Sequence, residues 1–319
     1  MRITALAGGT GAAKLLRGLV ACLDPHDLTV IGNTGDDTEV WGLHVSPDLD
    51  TATYALAGRL DVGRGWGLAD ETFRCLEAMG RLGEETWFNL GDRDLATHLY
   101  RTRRLRDGRP LSAITGEIAR RLGVTARVLP MSDEPVRTRV RAAGADGGDV
   151  WLTFQEYFVR ERAKVEVREV VFDGAESACP APGVLEAIHD ADLVVVCPSN
   201  PVTSVGPILA VPGIARALDA TAAPVVGVSP IVGGAAVSGP AGDLMRARGL
   251  PVSPVGVARA YAPWLDALVV EPGDRTFEPA LRAARVTPLY ASIVMTDLQS
   301  EAALAAAVLA ARAQLARAC

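Results

Sequence analysis

The chain opens with two kinds of hydrophobic pattern in succession. "RITALA" is a short continuous apolar run, "GGTG" a turn, and "AAKLLRGLVACL" sets Leu15, Leu16, Leu19 and Leu23 at helical spacing. "LTVIGN" then returns as a second continuous run. Strand, turn, helix, strand is a βαβ unit, and its crossover implies a parallel sheet. Further runs that read as strands buried on both faces are "LVVVCPSNP" from Leu193, "PVVGVSP" from Pro224 and "DALVVEP" from Asp266. The pattern predicts an α/β protein with a Rossmann-like, mostly parallel core.

Helical spacing fills the intervals: "DETFRCLEAMGRLG", "DRDLATHLYRTRRL", "LSAITGEIARRLG" and the terminal "SEAALAAAVLAARAQLARA". From about Val136 to Phe172 apolar and polar residues alternate around a glycine turn, which predicts an antiparallel hairpin. The expected organisation is one domain over residues 1–319, with a helical and hairpin insertion at about 110–175.

Composition narrows the class. With 319 residues and 49% hydrophobic positions a large core is available, and a net charge of -6 argues against a nucleic-acid partner. Lysine occurs only at Lys14 and Lys164, so arginine carries the positive charge. Cys22, Cys75, Cys179, Cys197 and Cys319 show no paired spacing, which points to reduced thiols and not to disulfides or zinc. The apolar start is too short for a signal-peptide core, and no apolar run has membrane-spanning length. A soluble, cytoplasmic protein with no membrane partner is expected.

Candidate chemistry gathers where the predicted strands end, the edge at which open α/β sheets bind ligands. Gly8, Gly9, Thr10 and Gly11 open a helix directly after a strand, and Lys14 follows one turn on. Such a turn is either purely structural or a phosphate cradle, since helix N-termini attract anions. It matches neither the dinucleotide nor the P-loop spacing. Ser199 and Asn200 follow a second strand, and Ser229 a third. Beyond "LTVIGN", Asn33 leads into an acidic stretch holding Asp36, Asp37, Glu39, Asp48 and Asp50, with only His44 as a cation. That stretch is a solvated turn or a cradle for Mg2+, a hard ion that takes carboxylates together with substrate phosphates. Asp50 reads equally as the N-cap of a helix "TATYALAG".

In the helix "DRDLATHLYRTRRL", Asp94 and His98 share a face, and Asp92 reads as a cap or a substrate contact. Thr97 and His98 point about a hundred degrees apart, so one of them is expected to contact substrate. His98 is either that contact or a base. Arg93, Arg101, Arg103 and Arg104 either hold an anionic substrate or form a solvated face. Ser132 in "PMSDEPVRT" and the aromatics of "TFQEYFV" suit a flat heterocycle, or plain hairpin packing.

The chain resembles the 2-phospho-L-lactate transferase family (CofD) of coenzyme F(420) biosynthesis. The motifs that carry the resemblance are "GGTGAAKLLRGL", "NTGDD", "SPDLDT", "GWG", "LGDRDLATHL", "PMSDEPVRT", "FQEYFV", "PSNPVTSVGPIL" and "SPIVGGAAVSGPAG", in family order along nearly the whole chain. The resemblance implies a Rossmann-like fold, commonly a homodimer, and a Mg2+-dependent transfer. A 2-phospholactyl or phosphoenolpyruvyl group would pass from lactyl- or enolpyruvyl-diphosphoguanosine to the ribityl hydroxyl of the deazaflavin Fo, releasing GMP and forming F(420)-0 or its dehydro form. It places the metal on Asp36 and Asp50, with Asp37 and Asp48 as neighbours, and makes Asp36 and Asp50 the catalytic carboxylates. A YvcK-type nucleotide-sugar-binding regulator would not be expected to carry "GDRDLATH" or "FQEYFV". A dinucleotide oxidoreductase would need the third glycine and an acidic residue closing the second strand.

Overall fold

The computed structural model describes residues 1–144 and 147–315, so Cys319 lies outside the described residues. Its central sheet has seven strands: β1 (Ile3–Ala7), β2 (Leu28–Gly32), β3 (Arg127–Pro130), β4 (Leu193–Val196), β5 (Val225–Val228), β6 (Ala267–Val270) and β7 (Thr287–Tyr290). The spatial order is β7-β6-β5-β4-β1-β2-β3, and each pairing is parallel. This is the doubly wound order, with β1 flanked by β2 and β3 on one side and by β4 to β7 on the other. Because the chain runs outward first through β2 and β3 and then through β4 to β7, the loops after β1 and β4 diverge and leave a crevice between them.

Helices that bear on the site are α1 (Gly9–Cys22), α2 (Pro47–Leu56), α3 (Arg74–Arg81), α4 (Asp94–Arg106), α5 (Leu111–Arg121) and α6 (Leu298–Leu315). The sheet's two faces alternate along every strand. Ile3, Ala5 and Ala7 of β1 pack in one cluster with Leu15, Leu16 and Leu19 of α1 and Leu304 and Val308 of α6, while Leu6 faces the opposite cluster. Leu15, Leu16 and Leu19 are fully buried, each worth about 2 kcal/mol at most by the area it removes from water.

The parallel core predicted from the apolar runs is the one that forms. Two strands escaped that reading, β3 ("RVLP") and β7 ("TPLY"). Both contain proline and both are the outermost strands, the positions where a missing N–H disturbs the ladder least. With β3 in the sheet and α5 leading into it, residues 111–130 belong to the core and not to an insertion beginning at about 110. The inserted part is a three-stranded antiparallel sheet, Arg137–Ala143, Asp149–Thr153 and Val167–Asp173, one strand more than the expected hairpin. Between its last two strands the "EYFVR" segment, Glu156–Arg160, forms a π-helical turn. Among the described residues no helix is long and apolar enough to cross a membrane.

Candidate active site

A cavity of about 530 Å3 lies at the crevice between β1 and β4. Its floor is the glycine turn. Gly9 has φ +74, a conformation that L side chains rarely adopt, and this bend brings α1 up against the strand end. The N-terminal N–H groups of α1 have no partners within the helix. Two find them elsewhere: Gly8 N–H donates to Ser199 Oγ at 3.3 Å and Gly9 N–H to Asp48 Oδ1 at 2.9 Å. Those of Thr10 and Gly11, both at the cavity, are left to meet an anion. Lys14 also lines the cavity and donates to the carbonyl of Met295 at 2.9 Å.

The acidic stretch folds over this floor. A two-residue hairpin turn at Trp41 and Gly42, both with positive φ, reverses the chain between the strands Thr38–Val40 and Leu43–Val45. It returns Asp48 toward Asp36. Asp36 is buried, Oδ1 has no hydrogen-bond partner, and burial and then the neighbouring Asp48 hold its carboxyl well above the usual range. Burial pushes Asp48 up to about 6, against the pull of its bonds from Asn33 and Gly9. Asp37 points away from the cavity, where its Oδ2 meets His44 Nε2 and Ser46 Oγ, each at 2.9 Å; its Oδ1 is buried without a partner. Asn33 is fully buried and works from behind, donating to Asp48 Oδ2 at 2.9 Å.

Asp50 is placed differently from the cap or cradle reading. Helix α2 begins at Pro47, so Asp50 lies within its first turn and does not cap it. Its two oxygens carry the guanidinium of Arg101, which reaches in from α4 with one contact at 3.1 Å and a second, shorter one. Asp36 and Asp48, the two carboxylates of the acidic stretch that line the cavity beside the glycine turn, carry no such counterion. Among the described residues no three His, Cys, Asp or Glu side chains form a preformed metal cage. The partnerless Asp36 oxygen beside Asp48 suits an ion that takes one or two carboxylates and completes its shell with phosphate and water, as Mg2+ does.

Helix α4 supplies one wall. His98 and Asp94 line the cavity, with His98 Nε2 at 3.5 Å from Asp94 Oδ1. Tyr54 donates to Asp94 at 2.5 Å, and its hydroxyl lies 2.9 Å from Thr97 Oγ1. Burial raises Asp94, but the neighbouring His98 ring and the bond from Tyr54 outweigh it and hold the carboxyl below its ordinary value. Of the neighbours on this helix it is thus His98 that faces the cavity, while Thr97 braces Tyr54.

Asp92 and Arg93 do not line the cavity. Asp92 caps α3, not the helix it precedes, accepting from the N–H groups of Arg74 and Cys75 and from Thr72 Oγ1. Glu71 returns the favour to α4, accepting from the N–H groups of Arg93 and Asp94. The two loops clasp each other, and the Arg93 side chain donates to Ala69 O. Asp92→Ala is therefore expected to lower Tm by a few degrees, which thermal denaturation would check. Ser132 is likewise structural: fully buried, it donates to Glu134 Oε2 at 2.9 Å. Asn200 and Ser229 do reach the cavity while shaping their own loops, Asn200 Oδ1 accepting from Val202 N–H and Ser229 Oγ donating to Ile231 O.

Aromatic side chains also line the cavity. Phe154 and Phe158 stack with ring centroids 5.6 Å apart, and Trp66 and Phe88 line it as well; from the same segment as the stacked rings, Gln155 Nε2 donates to the backbone oxygen of Asp36. The π-helical turn re-aims Phe158, which is 41% exposed in a region otherwise packed on the core. Trp66 stands in the "GWG" motif; Phe88 belongs to no pattern that the sequence marks. Tyr54 was also missed, since in sequence it is one aromatic in an alanine- and threonine-rich helix.

Fold and site together define a doubly wound α/β protein whose strand-end cavity sets a glycine turn and helix N-terminus beside carboxylates. Residues 3–313 match the model of the family 2-phospho-L-lactate transferase CofD, and the chain belongs to that family. It is 48% identical over 307 residues to a phosphoenolpyruvate transferase of Streptomyces griseus, covering 96% of both chains. To the phosphoenolpyruvate transferase of Kitasatospora aureofaciens it is 47% identical over 313 residues, with 97% of each chain covered. Among solved structures it is similar to a member of the UPF0052 family from Bacillus halodurans, with a TM-score of 0.62 and 19% identity over 97% of this chain and 98% of that one. This last likeness concerns the fold alone.

Proposed function

We propose that the protein transfers a phosphoenolpyruvyl or 2-phospholactyl group from a guanosine diphosphate-linked donor to the ribityl hydroxyl of the deazaflavin Fo, with release of GMP. The observation that carries this reading is one cavity lined by the glycine turn at the start of α1, by carboxylates and by stacked aromatic rings, in a chain of this family. The relatives named phosphoenolpyruvate transferases favour the enolpyruvyl donor, and with it dehydro-F(420)-0 as product.

In this reading the N–H groups of Thr10 and Gly11 and the ammonium of Lys14 bind the donor's diphosphate. Asp36, with Asp48 beside it, would hold Mg2+, whose charge offsets that of the phosphates and of the departing GMP. Asp50, His98 and Tyr54 bound the space into which the acceptor hydroxyl must reach, so the enzyme's task is largely alignment. The aromatic rings of the lining exclude water and give the deazaflavin ring a flat apolar surface.

Incubating the protein with Mg2+, Fo and each donor in turn, followed by mass spectrometry, tests the proposal. Dehydro-F(420)-0 from the enolpyruvyl donor is the expected product; no adduct of Fo with either donor would overturn it. Phe158→Ala should raise the Michaelis constant for Fo about tenfold, with GDP affinity unchanged, since stacking on one base-sized ring is worth about 1–3 kcal/mol. Steady-state kinetics in Fo would read that split.

A further inference from the structure

Arg101 is among the largest fully buried side chains of the protein, at 1% exposure. An arginine in the run "YRTRRLR" is an unlikely candidate for burial, and its neighbours Arg103 and Arg104 are exposed or half-exposed. Its guanidinium makes three kinds of contact at once. Both terminal nitrogens bond the Asp50 carboxylate; Nη1 lies 3.4 Å from the backbone oxygen of His44, and 3.4 Å from Nδ1 of His98. Burial opposes the charge, but the Asp50 carboxylate outweighs it and holds Arg101 above its ordinary value, so the side chain remains a cation.

We infer that Arg101 is a positioning residue whose buried guanidinium fixes both the Asp50 carboxylate and the His98 ring at the cavity wall. The geometry dictates how. A guanidinium has donors only, and Nη1 is nearer to His98 Nδ1 than the acceptor Asp50 Oδ2 is, 3.4 against 3.7 Å, so the ring nitrogen facing it presents its lone pair. That leaves the proton of neutral His98 on Nε2, a buried atom without a formed hydrogen bond that lies 3.5 Å from Asp94 Oδ1, the oxygen to which Tyr54 donates. One cation thereby sets the orientation of a chain of four cavity-lining side chains, Asp50, His98, Asp94 and Tyr54. The contact to His44 O ties the same cation to the strand that delivers Ser46 and Asp48. Planarity and the fork of donors matter here. A lysine ammonium would keep the charge but could not hold both carboxylate oxygens and the imidazole in one plane.

Two measurements on the full chain test this. Nitrogen-edited NMR, with His98 assigned through a His98→Gln sample, should show the neutral Nε2–H form in the wild type and a mixture of both tautomers in Arg101→Met. An Nδ1–H form in the wild type, or an unchanged spectrum in Arg101→Met, would overturn the inference. The second measurement rests on the transfer reading above and is a double-mutant cycle on kcat. Asp50→Asn and Arg101→Met should each lower kcat about a hundredfold, and the double variant should fall no more than about threefold below the worse single one. Multiplying losses would mean that Arg101 does not act through Asp50. Since Arg101→Met strands a buried carboxylate, Arg101→Lys takes its place in both measurements if that variant does not fold. A protein with no transfer activity would sink the transfer reading alone, because the NMR result is obtained without turnover.

Discussion

Chelation of divalent metal with EDTA should abolish group transfer, and added Mg2+ should restore it. The expectation rests on charge. Asp36 and Asp48 face the cavity together, both carboxyls are held above their usual range by burial, and Asp36 has a buried oxygen with no partner. Bringing a nucleoside diphosphate beside them adds still more negative charge. Only a cation that binds carboxylate and phosphate together makes that approach favourable, and the cavity's one lysine, Lys14, is partly engaged with Met295 O. Asp36→Asn removes the carboxylate that has no internal counterion and should lower kcat about a hundredfold or more, the usual size for lost electrostatic stabilisation of a transition state. Asp37→Asn should cost far less, because that side chain turns away toward His44 and Ser46. Activity assays with each variant, and calorimetry of Mn2+ or Mg2+ with GDP present, check the order. Full turnover in a metal-free assay would return the acidic stretch to an ordinary turn.

Gly11→Ala should remove GDP binding and destabilise the whole protein. A Cβ at residue 11 would lie 2.2 Å from the backbone oxygen of Pro198, in the loop that follows β4. The obstacle is backbone, so no side chain can swing aside. Either α1 or the loop after β4 must move, and those are the two halves of the crevice. Overpacking of this kind costs about 1–3 kcal/mol, and occasionally more. The displaced N–H groups of Thr10 and Gly11 would also lose their aim at phosphate, so at least a tenfold loss of GDP affinity accompanies the fall in Tm. Gly116→Ala is a useful control: it too changes a glycine, within α5 and without positive φ, and its Cβ would meet nothing within 4 Å. Calorimetry with GDP should find that variant close to wild type.

The sequence determined the parts that depend on local pattern. Continuous apolar runs announced β1, β2, β4, β5 and β6, because a strand buried on both faces needs apolar residues at every position. The glycine turn, the serine-bearing loops and the acidic stretch were legible as strand-end features, and in a parallel sheet all strand ends share one edge. The motifs in family order carried the family. Tertiary structure decided how these parts are partnered. Asp92 looked like a cap of its own helix and caps another, since a carboxylate bonds whatever N–H groups the fold brings near it. Ser132 looked available and is enclosed. Phe88 comes from a segment without periodicity, so nothing local announces that its ring meets the cavity. Arg101 shows the limit most clearly. On the helix it is one arginine among several, and the carboxylate that neutralises it lies fifty-one residues earlier in the chain. Pairing between distant charges leaves no period, spacing or propensity in a sequence; it exists only once the chain has folded and water has been excluded from between them.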